Sequence, residues 1–201
     1  MLISLFPSLK LSTKFLLLCL LIGGYVWHSR SEAIGTDSAI TIQVSQVNNG
    51  FEVRASYFAP LSQCQSYVLL TDFSEDSLTE GIKSSKVTHL SENTVRVEQR
   101  IEDRIGLFSA QFDSVIDYTK YPMTGMDLRQ VKGYFKEFQG SWRLASNAGG
   151  TLFSYTAFLL PDSVIPMFVT EYFMNKRVQK RFEKMAQIAK SKSDYVPEQC
   201  K

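Results

Sequence analysis

His89 is the one histidine beyond residue 33, and it falls inside an alternating, strand-like stretch. A metal site needs several His, Cys or carboxylate groups at ligand spacing, and no such cluster surrounds it in the sequence. A Ser-His-Asp or Cys-His nucleophile would have to use this same residue. There is no Gly-x-Ser-x-Gly elbow to expose a serine. Gly149-Gly150 lies between two strand-like stretches rather than before a helix, so it lacks the N-terminal amides that cradle phosphate. Cys64 and Cys200 are the two cysteines beyond residue 33. An even pair in an exported chain favours a disulfide over a reactive thiol. These residues lead us to expect no catalytic set, no metal and no cofactor.

What remains is a small number of polar groups among apolar neighbours: Gln99, Ser114, Tyr155, Tyr172 and Asn175. An apolar cavity carries a few such groups to orient a ligand. Each is equally explained by a hydrogen bond to nearby backbone or water. Asn175 is the sharpest case, because an unsatisfied amide on an apolar helix face costs about 1–3 kcal/mol.

The elements that must position these groups follow from periodicity. Ile42, Val44, Val47, Phe51, Val53, Ala55 and Tyr57 alternate as a first strand, with a turn at Asn48-Asn49-Gly50. Helical spacing over Leu61–Leu70 follows the Ala59-Pro60 stop, and Asp72 is placed to cap a second short helix that Gly81 ends. Strands are expected over Ile82–His89, Thr94–Ile105, Leu107–Tyr118, Met126–Phe135, Phe138–Ala145 and Thr151–Leu160. Phe108, Ala110, Phe112, Ser114, Ile116 and Tyr118 share one face of the third of these. Gly133 suggests a bulge. A long helix from about Ser163 to about Ala189 closes the pattern, with Pro166 in its first turn. Phe168, Tyr172, Asn175, Val178, Phe182, Met185 and Ala189 fall on one of its faces.

The N-terminus reads as a separate object. Lys10 and Lys14 precede an apolar run from Phe15 to Trp27, and Ser31-Glu32-Ala33 matches a small-x-small cleavage pattern. Residues 1–33 are therefore expected to be a signal peptide and 34–201 the mature domain. The alternative is an uncleaved anchor to the inner membrane. Both put the body outside the cytoplasm, so the positive-inside rule leads us to expect a periplasmic domain. Residues 1–33 hold three of the 22 basic residues and one of the 20 acidic ones, so the rest of the chain has no net charge. That balance argues against a nucleic-acid partner. Lys176, Arg177, Lys180, Arg181 and Lys184 form a basic side on the last helix. It reads either as a solvated face or as a contact for anionic lipid headgroups.

Several short pieces carry a family resemblance. Ala59-Pro60 ends the first strand, and Val68-Leu69-Leu70-Thr71-Asp72 follows. Gly133-Tyr134-Phe135, Gly140-Ser141-Trp142 and Gly150-Thr151 come next, with Pro161 and Pro166 before the last helix. In this order the chain resembles the START-like helix-grip superfamily (SRPBCC), nearest its polyketide cyclase/dehydrase and coenzyme Q-binding branch. The resemblance spans about Phe51 to Lys190. It implies an α+β helix-grip fold: a curved antiparallel sheet of six to seven strands around a long C-terminal helix, with two short helices after the first strand. It also implies a cavity for a lipid, quinone or similar hydrophobic molecule. The expected lining from the sheet is Phe108, Phe112, Ile116, Trp142, Phe153 and Tyr155. From the helix it is Phe168, Tyr172, Asn175, Val178 and Phe182. A hydrophobic-ligand carrier is the first reading. A cyclase/dehydratase-type enzyme acting in the same cavity and an interaction module with a filled core are the alternatives.

Overall fold

The structure, a computed structural model, describes residues 40–74, 82–105, 108–161 and 167–201. Side chains are described for all of these except 103–105, 108–112, 167–170, 172–174 and 177. The expected leader, its cleavage site and the capping residues Ser163 and Pro166 lie outside the described residues.

The expected first strand is two strands. β1 (Thr41–Val47) and β2 (Gly50–Ala59) pair as an antiparallel hairpin, with Val47 opposite Gly50. Asn48 and Asn49 have φ of 49° and 62°. Two consecutive left-handed residues make the tight turn whose twist suits a hairpin, and Asn tolerates that conformation better than most side chains. The hairpin raises the strand count above the expected six to seven. β3 (Ile82–His89), β4 (Thr94–Ile105), β5 (Phe108–Tyr121), β6 (Gly125–Lys132), β7 (Phe135–Asn147) and β8 (Gly150–Pro161) complete the set. These eight strands form one antiparallel sheet in the order β1-β2-β8-β7-β6-β5-β4-β3. One long connection carries the chain from β2 to the far edge at β3. From there the sheet runs back as a meander.

α1 (Gln63–Thr71) begins at a capping box. The Ser62 hydroxyl accepts from the Gln65 amide at 3.2 Å, and the Gln65 side chain accepts from the Ser62 amide at 2.8 Å. Two of the four open amides of the first turn are thereby satisfied. Asp72 does not start a second helix within the described residues. Its carboxylate accepts from the Ser74 amide at 3.0 Å in a local turn. Residues 75–81, where the rest of that helix was expected, lie outside the described residues.

Gly133 is not a bulge. It sits in the bend between β6 and β7, which the Gln130 side chain closes by donating to the Phe135 carbonyl at 2.6 Å. The irregularity lies nearby, where Val115 and Ile116 of β5 face Lys132 and Gln130. Val131 is the extra residue there, and such an insertion bends the strand that carries it.

α2 (Met167–Ser191) lies against β1 and β2 on the inner face of the sheet. That face is apolar by strict alternation: Phe51, Val53, Ala55, Tyr57 and Ala59 of β2 are all buried. Fully burying a large apolar side chain stabilises by roughly 1.5–3 kcal/mol, which outweighs the ordering cost of these side chains. The outer face carries cross-strand ion pairs, including Arg96–Asp117 at 2.7 Å, Lys83–Glu102 at 3.4 Å and Lys86–Glu98 at 3.7 Å. Exposed pairs of this kind set register and solubility more than stability.

The C-terminal tail returns to α1. The Gln65 side-chain Nε2 donates to the Tyr195 carbonyl at 2.8 Å, and Cys64 is disulfide-bonded to Cys200 across 136 residues of sequence. Among the described residues, no helix is long and apolar enough to cross a membrane.

Candidate functional site

The inner face holds a cluster of aromatic rings where β2, β7 and β8 meet α2. Register puts Tyr155 of β8 between Ala55 of β2 and Trp142 of β7. The rings of Trp142 and Tyr155 are 4.7 Å apart. Phe182 of α2 sits 5.5 Å from Trp142 and 5.4 Å from Tyr155. Tyr57 stacks on Phe153 at 4.7 Å and meets Trp142 edge-on at 6.4 Å. These are the offset and edge-to-face distances that aromatic pairs prefer. Gly125 makes room for Trp142. Its φ is +138°, and a Cβ there would strike the Trp142 carbonyl.

Of the residues expected to line a cavity, Ile116, Trp142, Phe153, Tyr155, Val178 and Phe182 belong to one packed cluster. Phe153 and Phe182 are almost fully buried by protein atoms. Val178 is half-buried and touches two neighbouring apolar clusters, one of them built on Val53, Ala157 and Leu159. Asn175 departs from expectation. It is exposed, and its amide donates to the Glu171 carbonyl one turn back at 3.1 Å. Its polarity therefore needs no ligand. Phe108 and Phe112 belong to β5, and Phe168 and Tyr172 to α2; their side chains lie outside the described residues.

Tyr57, Tyr118 and Arg181 stood outside the expected lining, Arg181 being read only as part of the basic side of the last helix. Tyr57 and Tyr118 were legible as inward members of alternating strands, but nothing in the pattern marked their hydroxyls. Tyr118 of β5 packs on Phe73 at 4.7 Å. Burial pushes the ionisation of Tyr57, Tyr118 and Tyr155 above the ordinary tyrosine value. The phenolate is the form that loses most solvation, so burial disfavours it. The positive charge of Arg181 opposes that shift at both Tyr118 and Tyr155. Ser114, also buried, lies four residues before Tyr118 on the same face.

A concavity of about 880 Å³ lies on the opposite face of the sheet. It runs across the sheet from β1 and β2 to β4 and is lined by residues such as Glu52, Asp117, Asp127, Gln139, Ser141 and Thr156. Its carboxylates are already engaged. Asp117 pairs with Arg96 at 2.7 Å, and Asp127 takes Arg143 at 2.7 Å and the Tyr121 hydroxyl at 2.8 Å. Ser141 and Thr156 share a hydrogen bond at 2.9 Å. None of the residues expected to bind ligand lines it. Among the described residues, no group of three His, Cys, Asp or Glu side chains could hold a metal.

No family model matches this sequence, and no curated protein matches it. Solved structures do. The di-domain ARO/CYC StfQ from the steffimycin biosynthetic pathway superposes with a TM-score of 0.60 at 7% identity, over 71% of this chain and 50% of StfQ. This chain thus spans half the length of that di-domain protein. The Zhui aromatase/cyclase from a Streptomyces species matches with a TM-score of 0.60 at 10% identity, over 71% and 93% of the two chains. A STAR-related lipid transfer protein from Xanthomonas axonopodis matches with a TM-score of 0.60 at 13% identity, over 75% and 93%. At such identities the likeness speaks to the fold alone. The single antiparallel sheet, the long C-terminal helix on its inner face and these superpositions agree: the chain has the START-like helix-grip fold.

Proposed function

We propose that this protein is an exported binding protein for a hydrophobic small molecule, such as a lipid or quinone, held between the sheet and α2. The observation that carries the reading is the inner face itself. It sets Tyr118, Tyr155 and Ser114 among buried apolar residues beneath a helix that lies chiefly over β1 and β2. Apolar surroundings with a few placed polar groups suit a ligand that is mostly hydrocarbon. The resemblance in fold to lipid-transfer proteins supports it. Export is supported by the Lys10/Lys14 leader pattern and by the Cys64–Cys200 disulfide, a bond that persists in oxidising compartments. Cleavage after Ala33 would release residues 34–201 to the periplasm; an uncleaved leader would tether them to the inner membrane. The exposed Lys180, Arg181 and Lys184 would then favour approach to an anionic membrane surface.

Native mass spectrometry of protein purified from its own compartment tests this reading. A bound apolar mass lost on denaturation is the expected result; protein with no adduct and no uptake of added lipid would contradict it. The fold is shared with aromatase/cyclases, so an enzyme acting in the same space is the second reading. A carrier returns a candidate polyketide unchanged, whereas a cyclase returns a product altered in mass or absorbance.

A further inference from the structure

The two edges of the sheet are built differently. β3, at one edge, carries Lys83 and Lys86, and its register slips between Ile82 and Ser84. Charged side chains and an irregular register are how sheets keep an edge from pairing further. β1, at the other edge, has neither. Its seven residues pair with β2 without a break, and no charged residue lies between Asp37 and Glu52. The hairpin fixes which backbone groups are open. A two-residue turn closes on a hydrogen-bonded pair, here Val47 and Gly50, and such pairs then alternate along an antiparallel ladder. Thr41, Gln43, Ser45 and Val47 therefore bond β2, while the N–H and C=O of Ile42, Val44 and Gln46 point away from it. Among the described residues, no strand lies beyond β1.

We propose that β1 pairs with β1 of a second copy of this chain, antiparallel, about a two-fold axis at Val44. The open residues form a row with Val44 at its centre, which makes the row self-complementary. Val44 exchanges both its bonds with Val44 of the second copy, and Ile42 exchanges with Gln46 in each direction. Every open group on both edges is then used. The side chains suit the same register. Val44 meets its own copy on the inner face. On the outer face Gln43 lies opposite Ser45, and Thr41 covers Val47, which is 38% exposed in the single chain. No like charges are opposed. A peptide from another protein would offer an extended backbone, but the two-fold match of open groups favours this chain's own strand. Pairing also closes the assembly: the enlarged sheet ends in β3 on both sides, where the lysines oppose growth. A strand of seven residues is roughly 23 Å long, so the interface is small for a specific complex and the dimer reversible.

The test is sedimentation velocity with amide hydrogen exchange, on protein purified from its own compartment with its disulfide intact. A monomer–dimer equilibrium should appear by about 100 μM, and the amides of Ile42, Val44 and Gln46 should gain protection as the dimer fills. Gln43→Lys with Ser45→Lys sets like charges opposite each other across the two-fold and should raise the dimer Kd about tenfold or more. Gln43→Glu with Ser45→Lys sets opposite charges there and should leave the Kd within about threefold of wild type, or lower it. Both positions alternate with Ile42 and Val44, which pack inward, so neither substitution enters the core; circular dichroism would confirm that each variant folds. A protein that stays monomeric at about 1 mM overturns the proposal. Fast exchange at β1 would then mean an edge left open, and slow exchange an edge covered by another segment of the same chain. A dimer equally weakened or equally untouched by the two double variants also overturns it, because the interface then lies elsewhere or in another register.

Discussion

Phe182 is the side chain on which the two layers meet. It contacts Tyr57, Trp142 and Tyr155, and only 3% of its surface is exposed. Phe182→Ala should lower the unfolding free energy by about 3–5 kcal/mol in urea titration, the range for deleting a buried aromatic ring. The tyrosines also give a pH signature. Burial raises the folded-state ionisation of Tyr57, Tyr118 and Tyr155 above its ordinary value. Their contribution to stability is therefore complete below the unfolded tyrosine value of about 10, and it is lost as pH rises from there toward the folded values. The urea midpoint should fall above about pH 10, and Tyr155→Phe should make that fall shallower. A midpoint independent of pH up to strongly alkaline conditions would contradict the burial of these phenols. Trp142 and Tyr155 were legible in sequence because a strand has period two, and their faces follow from their neighbours. Asn175 was misplaced for a different reason. Periodicity reports the angle around a helix but not how far along its axis the sheet reaches. Among the described side chains of α2, packing on the core begins at Val178, one turn beyond Asn175.

At the scale of elements, α1 is held at several points. The buried Thr151 hydroxyl donates to the Leu61 carbonyl at 2.8 Å, Gln63 donates to the Met123 carbonyl at 2.9 Å, and the tail is bound through Gln65. The Cys64–Cys200 bond then joins the two ends of this arrangement. Closing a loop with 136 residues of separation restricts the unfolded chain by roughly 5 kcal/mol in the chain-entropy model. Cys64→Ser and Cys200→Ser should each lower stability by up to about that amount, and the double variant by no more than either alone. Two free thiols titrated in unfolded, non-reduced protein would contradict the bond. The cysteine pair was readable because there were only two to pair beyond residue 33. The hairpin of β1 and β2 was half-read: its Asn48-Asn49-Gly50 turn was visible, but the stretch reads as one strand although the apolar phase changes from Ile42 and Val44 to Val47, Phe51, Val53, Ala55 and Tyr57. The shift at Val115/Ile116 left no comparable mark, since Val131 is an ordinary strand residue.

Across the whole molecule, the order of elements was enough to find the fold. A hairpin, a helix, a six-strand meander and a long amphipathic helix have few ways to bury one apolar face. What the pattern could not separate is a face that packs on itself from one that also packs on a ligand, because both need the same apolar residues. Val178 sits where that difference becomes measurable. It is half-buried at the junction of two apolar clusters. Replacing it with tryptophan adds a large ring midway along the inward side of α2. The decisive measurement is Nile red uptake and urea stability for wild type and Val178→Trp side by side. If sheet and helix enclose a ligand, the wild type takes up dye, and the variant loses most of that uptake while its stability stays within about 1 kcal/mol of wild type. If the interior is filled by protein alone, the wild type takes up none and Val178→Trp costs about 1–3 kcal/mol or more through overpacking. That second result would contradict the binding function.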